Sequence, residues 1–293
     1  MTVGWMGLGL MGERMVKRVA SLGEEVLAYN RSPKSIQHLP SNVRLTSDPR
    51  EATQGCRLTF LMLSDAAAVE EALFASGAID AMEPGAIVVN MSTVGVEDSI
   101  RLADQVERRG VGYVESPVLG TTKPAEEGKL VALVAGTEAN VDAALPYLRT
   151  MAHVIHRLGN VGNASAMKLM VNYLLAMSML SLGEALAFAE RAGFDVRTAL
   201  DVLATSSVWP AVYSGKRGMI ESGDFTPQFP VKHLAKDMRL FMEASERWQA
   251  RTPIAGLARD LLRRASSGPL ADLDMAALCA WFRDDGQGQA SAR

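Results

Sequence analysis

Along the first half of the chain, short runs of apolar and β-branched residues alternate with stretches whose apolar positions recur at helical spacing. The runs at 3–6, 25–29, 58–62, 86–90 and 111–115 predict strands, and the periodic stretches between them, 10–22 and 96–109 among them, predict helices. Strands alternating with helices imply βαβ units, a parallel sheet and right-handed crossovers. Two more strands, at 130–135 and 153–156, flank a helix from about 138 to 148 and extend the sheet. After Gly159 the strand pattern stops. The remainder reads as helices at 163–192, 195–205, 231–247, 253–265 and 273–282, with Pro210, Gly223, Pro227 and Pro253 at the joints. The predicted architecture is an α/β domain with a doubly wound parallel sheet over 1–161, then an all-α domain over 162–284. Residues 285–293 are small and polar and are expected to be disordered.

Composition narrows the function classes. A chain of 293 residues suits two domains, and 48% hydrophobic with 22% charged residues is ordinary for a soluble protein. The formal net charge of -3 speaks against nucleic acid or an anionic membrane as the main partner, since both reward a basic face. The apolar stretch 167–189 is interrupted by Lys168, Asn172 and Glu184, so its unbroken run falls short of the roughly 20 residues a span requires. A helix apolar on nearly every face is then expected between domains or subunits, which points to a homodimer or homotetramer. Cys56 and Cys279 are far apart and form no CxxC pair, which gives neither a disulfide framework nor a zinc site and suits a reducing compartment. With a strand beginning at Val3, no leader is read, and a cytoplasmic enzyme is expected. His153 and His156 lie three apart on a strand, a spacing that sends their side chains to opposite faces and predicts no shared metal.

Candidate chemistry begins at Gly7-Leu8-Gly9-Leu10-Met11-Gly12, which follows a strand and opens a helix. In that context the glycines permit a tight turn, a close approach of pyrophosphate and close helix–sheet packing, and the helix N-terminus faces the phosphates. This makes the first domain Rossmann-type and predicts a dinucleotide. The second strand ends Asn30-Arg31-Ser32, where an NAD-preferring site usually places an acid. A guanidinium and a hydroxyl there suit a 2′-phosphate, so NADP(H) is favoured, with Lys34 adding a more distant positive charge. Leu63 and Thr93, at two further strand ends, are expected near the ribose and nicotinamide.

Two more segments complete the constellation: Glu115-Ser116-Pro117-Val118-Leu119-Gly120-Thr121 at a strand end, and Gly159-Asn160-Val161-Gly162 before a helix bearing Lys168 and Asn172. Lys168 and Asn172, at i and i+4, share one helix face, and both are costly to bury among apolar neighbours without partners. These segments, together with Phe229-Pro230-Val231-Lys232-His233 and Lys236-Asp237-Met238-Arg239-Leu240, resemble the β-hydroxyacid dehydrogenases over almost the whole chain. The glyoxylate/succinic semialdehyde reductase branch is the most similar, through Lys123-Pro124-Ala125-Glu126 and Asp272-Leu273-Asp274 as well.

That resemblance implies NADPH-dependent reduction of a small aldehyde acid to the hydroxyacid. Lys168 would be the general acid and Asn172 would orient the lysine or the substrate. Thr93, Leu119, Gly120 and Thr121 would meet the substrate, with backbone N–H groups of Gly120 and Thr121 receiving its carboxylate. Phe229 and Asp237 would close the pocket, and Lys236 would meet the cofactor. Leu119 replaces the family's usual Ser; it donates no hydrogen bond, and so points to an aldehyde acid bulkier or less polar than glyoxylate. Imine reductases and non-catalytic NADP-binding proteins share the layout but generally lack a lysine at this position, so Lys168 counts against both.

Overall fold

The computed structural model describes residues 2–33 and 38–283, so Lys34 and the expected tail at 285–293 lie outside the described residues. The chain divides into two compact units, one through Lys168 and one from Leu169.

In the first unit the order is β1 (Thr2–Met6), α1 (Gly12–Ala20), β2 (Glu25–Tyr29), β3 (Val43–Thr46), β4 (Leu58–Leu61) and α2 (Ala66–Glu70), which continues as a π-helical turn, Glu71–Ala75. Then come β5 (Ile87–Asn90), α3 (Val96–Glu107), β6 (Gly112–Glu115), β7 (Val118–Leu119), α4 (Thr122–Glu127), β8 (Leu130–Gly136), α5 (Glu138–Met151) and β9 (Ala152–Arg157). The sheet runs β3-β2-β1-β4-β5-β6-β8-β7, with β9 beside β8. Strands β1 to β6 pair in parallel, β8 runs antiparallel to β6 and β7, and β9 returns parallel to β8. This is the doubly wound order, in which the chain reverses direction about β1 and β4 and leaves a crevice beyond their carboxyl ends. Buried Trp5 of β1 stacks on Phe60 of β4 at 5.7 Å, and Val16 and Val19 of α1 lie in the same core. The central strands β1, β4, β5 and β6 are buried on both faces, which is why they read as continuous apolar runs.

Several elements of this unit differ from the sequence expectation, which names neither β7 nor α4. The strand β3 is a short edge strand whose Arg44 is exposed, so it carries no apolar run. The helix α2 starts at an Asp65 carboxylate that accepts the Ala68 N–H, a cap placed in an alanine-rich stretch without apolar period. The register of β9 shifts beside His153, where a bulge interrupts strict alternation, and both His153 and His156 are exposed.

The second unit contains most of α6 (Asn163–Arg191), then α7 (Val196–Ala204), α8 (Ala211–Ser222), α9 (Val231–Arg247), α10 (Pro253–Ser266) and α11 (Ala277–Arg283). Ala176, Met179 and Leu186 of α6 are buried in one core with Leu234 and Met238 of α9, Leu262 of α10 and Leu278 of α11. By length and composition α6 is apolar enough to cross a membrane; in this fold those buried side chains pack on protein instead. Helix α8 is an addition to the expected set, and α11 begins at Ala277 rather than 273.

Candidate active site

The glycine turn after β1 is built by three glycines with different causes. Gly7 has φ +100°, and a Cβ there would lie 2.3 Å from the Met62 carbonyl oxygen. At Gly12 a Cβ would lie 2.0 Å from the Gly7 carbonyl oxygen, so α1 packs on the turn only because no side chain intervenes. Gly9 is outside the left-handed region and a Cβ would meet nothing within 4 Å. Among the described residues nothing therefore requires glycine at 9, and the space it keeps open suits a ligand's approach. The α1 N-terminus also has no side-chain cap to compete for its N–H groups. Gly9→Ala is accordingly expected to leave the melting temperature unchanged and to weaken dinucleotide affinity by at least about tenfold. A titration showing unaltered affinity would remove the turn from the binding site.

Around this turn lies a cleft of about 290 Å³ lined by Gly7, Gly9, Asn30, Arg31, Ser32 and Leu63 of the expected set. Met62, Glu71 and Ala72, which sequence reasoning did not single out, line it too. Asn30 fastens the rim: its Oδ1 accepts the Leu8 N–H at 2.8 Å and its Nδ2 donates to the Ser32 carbonyl at 2.7 Å. The Leu8 side chain is buried in the core, Leu10 is exposed and Met11 packs partly on the core, so these three side chains do not face the cleft. The exposed Arg31 guanidinium donates to Glu71 Oε2 at 3.1 Å.

Strand ends β4 and β5 are joined by buried polar groups. Ser92 Oγ accepts the Leu63 N–H at 3.0 Å, and Asn90 Oδ1 accepts the Ser92 N–H at 3.0 Å. Asn90 Nδ2 donates to the Tyr113 hydroxyl at 2.9 Å, and burial raises that hydroxyl's pKa above its ordinary value. Leu63 is held by this strand-end network, and half-buried Thr93 follows Ser92 directly in the chain.

Glu115, buried at the end of β6, anchors the first turn of α6. Its carboxylate accepts the N–H groups of Gly162 at 2.9 Å and of Ala164 and Ser165 at 3.1 Å, and the Ser165 hydroxyl besides. A buried anion at a helix N-terminus satisfies donors that lack intrahelical partners and is favoured by the helix dipole. One turn further, half-buried Lys168 donates from Nζ to the Val118 carbonyl at 2.8 Å. One strand-end segment therefore holds both the head of α6 and the lysine tip. Leu119 packs against a small cluster of Leu133, Ala135 and Ala164, so its side chain has a packing role in this unit. Gly120 has φ +121° and directs the chain into the turn that Thr121 continues as N-cap of α4.

In the second unit, buried Asn172 donates from Nδ2 to Asp237 Oδ2 at 2.5 Å. The other carboxylate oxygen lies 3.2 Å from Lys236 Nζ, an ion pair without a directed hydrogen bond. Half-buried Phe229 is fixed through its backbone: its N–H and that of Gln228 donate to Asp274 Oδ2, each at 2.9 Å. Lys216 Nζ lies 2.9 Å from both Asp274 oxygens, and the pair is almost completely buried. Among the described residues no cluster of three or more metal-ligating side chains occurs.

A doubly wound nucleotide domain followed by a helical domain, with a lysine at the head of the long helix, defines an NAD(P)-dependent hydroxyacid dehydrogenase or reductase. Residues 2–161 match the NAD-binding domain of 6-phosphogluconate dehydrogenase, and 162–282 match the NAD-binding region of NADP-dependent 3-hydroxyisobutyrate dehydrogenase. The chain belongs to the β-hydroxyacid dehydrogenase family. It is 34% identical over 279 residues to the chloroplastic glyoxylate/succinic semialdehyde reductase 2 of Arabidopsis thaliana, covering 94% of this chain and 78% of that one. It is 32% identical to glyoxylate/succinic semialdehyde reductase 1 of the same plant, covering 95% and 97%. A solved structure of Mycobacterium tuberculosis 3-hydroxyisobutyrate dehydrogenase with L-serine superposes with a TM-score of 0.83 at 25% identity, covering 96% of this chain and 99% of that one.

Proposed function

We propose that this enzyme reduces a small aldehyde acid to the hydroxyacid with NADPH, and that Lys168 is its general acid. The observation that carries the reading is the Lys168 ammonium held 2.8 Å from the Val118 carbonyl, on the strand-end segment that continues into Gly120 and Thr121. Bound NADPH supplies the hydride to the carbonyl carbon. Lys168 offsets the negative charge growing on the carbonyl oxygen and delivers the proton there, taking another from solvent afterwards. Backbone N–H groups of Gly120 and Thr121 receive the carboxylate, and Asn172 serves orientation. The NADPH preference is supported by Arg31 and Ser32 in the cleft, where no acidic residue ends β2. Leu119 donates no hydrogen bond, so its loop offers glyoxylate one polar contact fewer, and a longer aldehyde acid such as succinic semialdehyde is the expected substrate. The reading carries a cytoplasmic setting and a homodimer or homotetramer, supported by exposed Leu174 and Phe188 on α6.

The test is NADPH oxidation against glyoxylate, succinic semialdehyde, tartronate semialdehyde, methylmalonate semialdehyde and a cyclic imine. Highest kcat/KM is expected with succinic semialdehyde. Turnover confined to the imine would overturn the reading.

A further inference from the structure

The Arg31 guanidinium that the proposed function assigns to a 2′-phosphate already has a partner. Glu71 Oε2 lies 3.1 Å from its Nη1, and both residues line the cleft that contains Gly7, Gly9, Asn30 and Ser32. Glu71 belongs to the connection between β4 and β5, where α2 widens into the Glu71–Ala75 π-helical turn. Its position is therefore set by a different part of the chain from the β2 end that carries Arg31.

Both side chains are largely exposed, Arg31 by 74% and Glu71 by 62%. An exposed pair of this kind adds little to folding stability. Its consequence falls on whatever binds at the same guanidinium. A phosphate monoester arriving there carries about 1.5–2 negative charges near neutral pH. It must share the Arg31 donors with a carboxylate and accept repulsion from that carboxylate's charge. An unphosphorylated ribose brings no such charge, and its hydroxyls can donate to a carboxylate, as they do to the acid that usually ends the second strand in NAD-preferring sites.

We propose that Glu71 sets the strictness of cofactor choice: its carboxylate competes for Arg31, restrains the preference for NADP(H) and admits NAD(H) as a second cofactor. This rests on the assignment of Arg31 to the 2′-phosphate. Glu71→Gln keeps the shape and removes the charge, so only the electrostatic competition is lost.

The experiment measures Kd for NADPH and NADH by fluorescence titration of the full-length enzyme, for wild type, Glu71→Gln, Glu71→Ala and Arg31→Ala, at low salt and at about 0.5 M salt. Glu71→Gln is expected to tighten NADPH binding about 3- to 10-fold at low salt and leave NADH unchanged or weaker. Glu71→Ala should repeat the direction, and the gain should shrink at high salt. An unchanged or lowered preference for NADPH in both Glu71 variants, with NADPH binding clearly weakened by Arg31→Ala, overturns the role of Glu71 and leaves the Arg31 assignment standing. Unchanged NADPH affinity in Arg31→Ala overturns both.

Discussion

Lys168→Ala is expected to lower kcat by a factor of about 10²–10⁴ while NADPH affinity and melting temperature stay near those of the wild type. The expectation follows from how the lysine is held. Four donors from the first turn of α6 converge on the Glu115 carboxylate, so the helix stays in place when a side chain one turn further is shortened. The structural loss includes the hydrogen bond to the Val118 carbonyl, worth on the order of 1.5 kcal/mol for a charged donor at a half-buried position. The chemical loss is larger, because the oxyanion developing at the carbonyl has neither a neighbouring cation nor a proton source. Lys168→Arg separates these two contributions: arginine keeps the positive charge but does not release its proton near neutral pH. Steady-state kinetics on both variants checks the assignment. Alanine retaining more than about a tenth of wild-type kcat would exclude the lysine as general acid, since such groups typically contribute far more.

The folding pattern was legible where burial enforces periodicity. Strands β1, β4 and β5 are buried throughout, so Val3 to Met6, Leu58 to Leu61 and Ile87 to Asn90 announce themselves by composition alone. The edge strand β3 has no such signature, because its Arg44 faces solvent. Gly215 and Gly218 weaken the helical signal of α8; in the fold it follows an N-cap at Pro210, stops at Gly223 with φ +71°, and buries Tyr213 and Ile220. The sequence pattern starts α11 too early because Asp274 looks like an ordinary polar helix position. Its carboxylate in fact accepts the Ala276 N–H at 3.0 Å and ends the preceding segment.

The candidate site was legible where function depends on neighbours in sequence. The glycine turn, Arg31 and Ser32 stand out by their place at strand ends, whereas the i, i+4 spacing of Lys168 and Asn172 shows only a shared helix face, and it is the family resemblance that singles them out. Glu71, Glu115 and Asp274 did not, although each has a specific partner. Arg31 and Glu71 are 40 residues apart, Glu115 and Ser165 are 50 apart, and Lys216 and Asp274 are 58 apart. A lone acidic residue has the same appearance whether it is solvated, capping a distant helix or neutralising a buried amine. Only the fold brings the partners together. The place of Glu115 at the end of the run 111–114 is a signal the sequence does carry, since a carboxylate ending an otherwise apolar strand must find donors.

Asp274→Ala is expected to destabilise the helical unit by about 3–5 kcal/mol, lowering the melting temperature by roughly 6–15 °C. The carboxylate is fully buried and serves the Lys216 ammonium and the N–H groups of Gln228, Phe229 and Ala276. Removing it strands a buried cation together with three backbone donors. Lys216→Met is expected to cost less than Asp274→Ala. The carboxylate left behind keeps its three backbone donors, whereas the ammonium left by Asp274→Ala keeps a hydrogen bond to Gln228 Oε1 at 3.1 Å and no carboxylate. The double variant, Lys216→Met with Asp274→Ala, should then fall short of the sum of the two single losses, because neither charge remains to be stranded. Calorimetry on the three variants decides it. Equal single losses that simply add would mean that the two groups act independently, and that the buried pair is not what ties the segment carrying Phe229 to the start of α11.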